Sequence, residues 1–310
     1  MRRCLVLTIV ILAAAAPAAR GDGVPITNGD VGAGGITARG VATRYLALRV
    51  PGGTLVMGIE RRSGKILVSR FFSRPVTVTA VAYDGSGTGL SADGRTLVLV
   101  TPRTTFPAPR SRFTVLDTST LRVRARVALK GDLALDAISP DGRRLYLIQT
   151  LRDTTRYIVR AYDVAQRRLL PDPVVDPAEP DEPIRGFPVA RALSRDGRWA
   201  YTLYGGGSDT PFVHALDTGG GRARCIDLDA LAGPRELFDL RLAVARGGVI
   251  TVRDRSARPL LRIEPRTFAV RPPRRPIERS AGWVAPAAGA GLLVLLAGGA
   301  VTAGQPRRAS

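Results

Sequence analysis

Residues 134–170 read ALDAISPDGRRLYLIQTLRDTTRYIVRAYDVAQRRLL, and the rest of the chain is organised around copies of this stretch. Asp141-Gly142 sits between two short apolar runs. Glycine accepts positive φ without steric cost and the Asp side chain bonds turn backbone, so the pair marks a tight connection between strands. Before it, Leu133, Leu135 and Ala137 alternate with other residues. After it, the run 145–148 has almost no polar position, which suits a strand covered on both faces. A third strand is expected over 157–164, ending at Asp163, and a fourth near 168–175.

The unit recurs. Ser-x-Asp-Gly-Arg stands at 91–95 and 139–143, and Ser-x-Asp-Gly-Arg again at 194–198. An apolar run closed by an acid ends at Glu60, Asp117, Asp163, Asp217 and Glu264, at spacings of 57, 46, 54 and 47 residues. A period near 45 residues with four short strands in each points to an all-β fold, a β-propeller of about five four-stranded blades. Blades bury their faces only against neighbours, so residues 41–270 are expected to form one domain. The five acids hold a fixed place at the end of each third strand. That place assigns them to turn capping, in which an Asp side chain bonds backbone amides two residues on, rather than to a ring of metal ligands.

Two segments resemble the YVTN-type bacterial β-propeller repeats. Ser139-Pro140-Asp141-Gly142-Arg143-Arg144-Leu145-Tyr146 is similar to that family's turn and second strand, and residues 115–123 (VLDTSTLRV) to its third strand, turn and fourth strand. The resemblance covers roughly residues 43–270. It implies a fold and not a function, because such repeats serve scaffolding, binding and enzymatic proteins alike. The outer units depart from the pattern: the last keeps only residues 244–248 (VARGG) at its turn, and the first has no recognisable inner strand.

The two ends carry an address. Residues 1–21 have the layout of a signal peptide, with Arg2 and Arg3, an apolar run over 5–16 and small residues at Ala16, Ala18, Ala19 and Gly21. Residues 22–40 read as a linker, or as the donor of one strand to the first blade. Residues 271–280 form an Arg/Pro-rich stalk, in which proline favours extended backbone. Residues 281–304 carry no charge and are long enough for a transmembrane helix, with Trp283 near one interface. Residues 305–310 are then a cytoplasmic tail, and the propeller is extracytoplasmic on a single-pass membrane anchor.

The formal net charge is +20, and Lys65 and Lys130 are the only lysines among 46 basic residues. Attraction to a polyanion follows, with anionic lipid or wall polymer at the Arg-rich stalk as the expected partner, set against a basic but non-specific surface. Nucleic acid is not expected, since the basic residues are spread along the repeats rather than clustered with aromatics.

No catalytic, cofactor-binding or metal-ligating set is assigned. His214 is the single histidine and lies inside a strand, which favours a structural role. With a carboxylate at the channel it would be the base of the alternative reading, a lactonase-like propeller hydrolase. Cys225 reads as a small core hydrophobe. The run Gly85–Gly89 reads as a flexible inter-strand loop, since no Lys-Ser or Lys-Thr follows it. Asp172, Asp176, Glu179, Asp181 and Glu182 are interleaved with prolines, which favours a solvated inter-blade loop over calcium. The expected function is a binding or scaffolding module that takes a protein, peptide or glycan at a propeller face; a cell-wall structural protein is the further alternative.

Overall fold

The computed structural model describes residues 29–30, 34–153, 155–206, 210–233 and 236–273. The expected signal peptide, transmembrane helix and tail, and all but the first residues of the stalk, lie outside the described residues. Among the described residues no helix is long and apolar enough to cross a membrane.

The strands follow one another as antiparallel sheets. β1 (Gly29–Asp30) precedes β2 (Thr43–Val50), β3 (Gly53–Glu60) and β4 (Ile66–Phe72), which form the first sheet. The short β5 (Thr79–Ala80) and β6 (Gly87–Thr88) come next, and β5 pairs with β1. The second sheet is β7 (Thr96–Val100), β8 (Arg110–Asp117) and β9 (Val123–Lys130). The third is β10 (Leu133–Ile138), β11 (Arg144–Thr150), β12 (Arg156–Asp163) and β13 (Arg168–Val174), with β14 (Ile184–Arg185) added beside β12. The fourth is β15 (Phe187–Leu193), β16 (Trp199–Gly205), β17 (Phe212–Asp217) and β18 (Arg222–Asp227). The fifth is β19 (Arg241–Val244), β20 (Ile250–Arg253), β21 (Pro259–Ile263) and β22 (Val270–Arg271).

These five sheets are numbered blades 1 to 5 in chain order, and β1, β5 and β6 form a small further sheet. Neighbours share hydrophobic cores: Ile36, Tyr45 and Val56 pack with Leu97 and Leu116; Val98 and Phe113 with Leu133 and Leu145; Tyr146 and Val159 with Ala200 and Leu216; Leu203 and Val213 with Ile250 and Ile263. Among the described residues no such core joins the fifth blade to the first. The sheets form a series rather than a ring shown to be closed.

The inner strands of the first two blades depart from the repeat. Blade 1 gets its innermost partner from the expected linker, where Ile36 bridges Tyr45. In blade 2 the inner strand is broken: Thr77 bridges Val100 and Leu90 bridges Leu97, and the β5–β6 hairpin leaves the sheet between them.

The repeated turn has one chemistry. In each Ser-x-Asp-Gly-Arg copy the serine hydroxyl donates to the Asp Oδ1 (Ser91–Asp93 2.5 Å, Ser139–Asp141 2.6 Å, Ser194–Asp196 2.6 Å). The same Oδ1 accepts the amide of Arg95, Arg143 or Arg198, and the serine oxygen accepts the amide of Thr96, Arg144 or Trp199. The glycines have φ of 71°, 71° and 70°. Three of the five terminal acids cap as expected: Asp117 accepts from the amides of Ser119 and Thr120, Asp163 from Gln166, and Asp217 from Gly219 and Gly220. The two glutamates do not: Glu60 takes the Ser63 hydroxyl and Glu264 the Arg262 guanidinium at 2.5 Å. The longer side chain carries its carboxylate past the amides.

Antiparallel alternation sorts the connections. Those between first and second strands and between third and fourth strands fall at one end, all short; this is the turn end. Those between second and third strands, and the crossings from blade to blade, fall at the other, the loop end.

A Cβ at Gly142 would overlap the Thr96 side chain of the preceding blade at a φ of +71°, whereas one at Gly64, φ +73°, meets nothing within 4 Å. Gly64→Ala is expected to cost about 1 kcal/mol through backbone strain alone, and Gly142→Ala about 2 kcal/mol or more. Denaturant unfolding of the two variants measures the inter-blade part as the difference.

Candidate functional site

The loop end carries the site. It begins with residues 81–86, the tip of the β5–β6 hairpin. Asp84 Oδ1 accepts the Ser86 amide at 2.9 Å and closes the tip, and Gly85 sits at φ 81°. The tip then crosses to blade 4. The Tyr83 and Asp84 amides donate to the Pro188 and Val189 carbonyls of β15 at 2.9 and 3.1 Å, and Asp84 Oδ2 accepts the Arg191 amide at 3.1 Å. The glycine-rich run is therefore no flexible loop in its first half. It is a clamp pinned by a strand about a hundred residues downstream in the chain.

Arg191 is also anchored from below. Its guanidinium donates to Asp136 Oδ1 at 2.7 Å, to the Asp136 carbonyl and to Thr202 Oγ1 at 2.7 Å. Asp136 occupies a bulge of β10. Both side chains are nearly inaccessible, at 4% and 3%. This pair ties the inner strands of blades 3 and 4 together beneath the clamp.

The clamp holds Tyr83 in the solvent. Phe187 opens β15 beside it, and Phe238 comes from the short 3-10 turn Leu237–Asp239 that leads into β19. The ring centroids lie 5.8 Å (Tyr83–Phe187), 5.2 Å (Tyr83–Phe238) and 5.0 Å (Phe187–Phe238) apart, the last pair stacked. Tyr83 and Phe238 are each 50% exposed. Arg241 fixes the 3-10 turn by donating to the carbonyls of Phe238 and Leu240 at 2.6 and 2.9 Å. Gly206 lets Phe187 approach, since a Cβ there would collide with the ring. Three blades thus build one aromatic ledge, and each ring is backed by hydrogen-bonded main chain.

Other openings are less suited. The space where blades 1 to 4 meet, lined by Ile36, Leu90, Ala137 and Arg191, holds about 170 Å³, below the roughly 300 Å³ where small-molecule pockets begin. A groove of about 600 Å³ runs under the loop 101–109. There Asp132 takes the Arg103 guanidinium and the Ala108 amide, and Arg103 lies 4.7 Å over the Phe106 ring.

The expected solvated loop 171–183 is partly folded onto blade 4. Asp176 is buried and accepts from Ala178 N, Arg224 Nη1 and Cys225 N at 2.9, 3.1 and 2.8 Å. Asp176, Glu179 and Cys225 have ligand atoms within 4.8 Å of one another. Metal chemistry does not suit them. Burial above all, then the nearby carboxylates, pushes the Cys225 thiol up to about 12, so it is a neutral thiol at neutral pH. Asp176 is already committed to its three donors.

His214 lies in β17 with 2% exposure, opposite Thr202 and Cys225 and near the Tyr204 ring. Burial lowers its pKa to about 4, with Asp136 and Arg191 pulling in opposite directions. Asp136 is the carboxylate that the hydrolase reading calls for, but both groups are sealed away from substrate. Those residues form a buried polar core instead of a catalytic pair.

The ledge left no mark in the sequence, because its rings stand at 83, 187 and 238. The signal that could have found it is scarcity: aromatic residues make up only 5% of the chain, yet rings are four of the eight exposed large hydrophobics among the described residues.

Neither a protein-family model nor a curated protein matches the chain. Among solved structures it is similar to hydrazine synthase of Kuenenia stuttgartiensis (13% identity, TM-score 0.44, 74% of this chain and 63% of that one). It is also similar to the Dos1 propeller (12%, 0.40, 73% and 56%) and to TolB from Acinetobacter baumannii (13%, 0.35, 74% and 56%). The chain spans less than two thirds of each. The propeller assignment rests on the sheets themselves.

The His214 shift sets a pH dependence. The folded pKa lies below the unfolded value of about 6.5, so its contribution is complete above pH 6.5 and falls as the pH drops towards 4. The expected loss across that window is about 3 kcal/mol. In His214→Gln the slope of stability between pH 6.5 and 4 should flatten, as read by chemical unfolding at each pH.

Proposed function

We propose that the protein is a membrane-tethered, extracytoplasmic propeller that captures a protein, peptide or glycan at its loop end. The aromatic ledge of Tyr83, Phe187 and Phe238 carries the reading. Rings of this kind offer large apolar area at low conformational cost, and monomeric surfaces rarely gather three without use. The clamp at Asp84 and the turn at Arg241 hold the rings in place before a ligand arrives, which limits the ordering cost of binding. The signal-like residues 1–21 and the uncharged residues 281–304 support the tether and the extracytoplasmic location. The structure offers no accessible base at His214, so the hydrolase alternative loses its motivating residue.

The experiment is capture of immobilised glycans and peptides by the full chain in detergent. Tyr83→Ala and Phe238→Ala are each expected to weaken the best ligand about tenfold or more, as buried aromatic anchors do. Phe106→Ala, which removes an exposed ring of the blade 2 loop, should leave it unchanged. Equal binding by all three variants would remove the ledge as the site.

A further inference from the structure

The arginines that look scattered in the sequence are gathered by the fold. Each of the five connections between first and second strands carries one: Arg39, Arg95, Arg143, Arg195 and Arg246. Four of the five between third and fourth strands carry another, Arg61, Arg122, Arg167 and Arg266, and in blade 4 Arg222 opens β18 directly after the turn. All ten side chains belong to exposed residues, and all ten fall at the turn end. The acids of the same turns are engaged within their own loops, although Asp93, Asp141 and Asp196 stay exposed and Arg143 lies 3.7 Å from Asp141. Asp93, Asp141 and Asp196 each bind a serine hydroxyl and a backbone amide, and Asp217 is fully covered between Arg198 and Arg222. The turns of Arg39 and Arg246 contain no acid at all.

The loop end differs. Its blade-to-blade crossings expose Glu179, Asp181, Glu182, Asp229 and Glu236, and Asp172 is exposed near the end of β13. The exposed rings Tyr83, Phe106 and Phe238 are there too. The loop end also exposes Arg74, Lys130, Arg152, Arg185, Arg255 and Arg258, so its charge is mixed, whereas the turn end is predominantly basic.

The described chain also ends near the basic face. β22 is only two residues long, and its Val270 pairs with Ile263 beside the last turn. Pro273 lies two residues beyond Arg271. Next in sequence come further arginines and then the uncharged residues 281–304.

We infer that the turn end is a docking face for an anionic lipid surface, which sets the propeller with its aromatic ledge pointing away from the bilayer. Arginines at ten separate turns present charge across a broad face rather than along a groove, which matches a sheet of headgroups. A strand of nucleic acid would want rings interleaved with the charges, and the exposed rings are at the opposite end. Arginine attraction to acidic leaflets decays within about one Debye length, so the turns must approach closely and the contact must weaken in salt. The inference takes from the proposed tether only that a bilayer is nearby, and the test separates the two.

The full chain is placed in nanodiscs of phosphatidylcholine, with or without phosphatidylglycerol. Its arginines are modified with phenylglyoxal and read one by one by mass spectrometry. With the anionic lipid, Arg95, Arg143, Arg195 and Arg266 are expected to react at least about fivefold more slowly, and salt at about 0.5 M should restore them. Arg152 and Arg258, at the loop end, should react equally in both discs. Uniform reactivity, or protection of Arg152 and Arg258 instead, overturns the docking face. So does stronger protection of the turn arginines by duplex DNA than by anionic lipid at equal charge. If the chain fails to stay in the discs, the tether falls, and the free chain with phosphatidylglycerol vesicles must still show the same protection. The variant Arg95→Gln/Arg195→Gln/Arg266→Gln alters only exposed side chains. Its affinity for those vesicles should fall about a hundredfold, and an unchanged affinity overturns the inference.

Discussion

The buried pair of Asp136 and Arg191 is the interaction on which the rest of the architecture leans. Two opposite charges sit within 2.7 Å at the meeting of two inner strands, almost without water. Desolvation offsets much of the attraction in such a pair, so its net contribution to stability is small. Its consequence lies elsewhere. Removing either partner alone would strand a buried charge at a cost of about 3–5 kcal/mol, so the two strands are held to one register. The main chain of Arg191 then receives Asp84, Asp84 positions Tyr83, and the ledge follows from a contact that no solvent reaches.

Much of the fold was legible because the turn chemistry is local. Ser, Asp, Gly and Arg lie within five residues, and all the bonds that define the turn lie among them and the residue after. The same locality explains why blade 5 still turns at residues 245–249 with neither serine nor aspartate: Gly248 at φ 83° suffices. The errors were of the opposite kind. The tip before Gly85 looked free because the partners of Tyr83 and Asp84 are in β15, and Asp176 looked solvated because Arg224 and the Cys225 amide come from β18. A single bridge at Ile36 is too short to show as a pattern. The candidate site was not legible at all, since its three rings come from three blades and share no spacing.

The two ends of the blades reflect a division within the repeat. The turn end is fixed by the backbone requirements of tight connections, so its residues vary little from blade to blade and charge accumulates by repetition. The loop end has no such requirement, and its crossings differ in length, proline content and sign of charge. Recognition is better housed where blades differ, and non-specific attraction where they agree. The arrangement here has that form, with the ledge on the variable side and the arginines on the uniform one.

Among the described residues, interior blades share hydrophobic cores with two neighbours and each terminal blade with one. In a stacked array stability is close to a sum over neighbouring contacts, so the ends should open before the middle. In blade 1 the outermost strand leaves Ile66, Leu67 and Phe71 more than half exposed. The blades that carry the buried ion pair share cores on both sides, so they are expected to be the last part of the series to open.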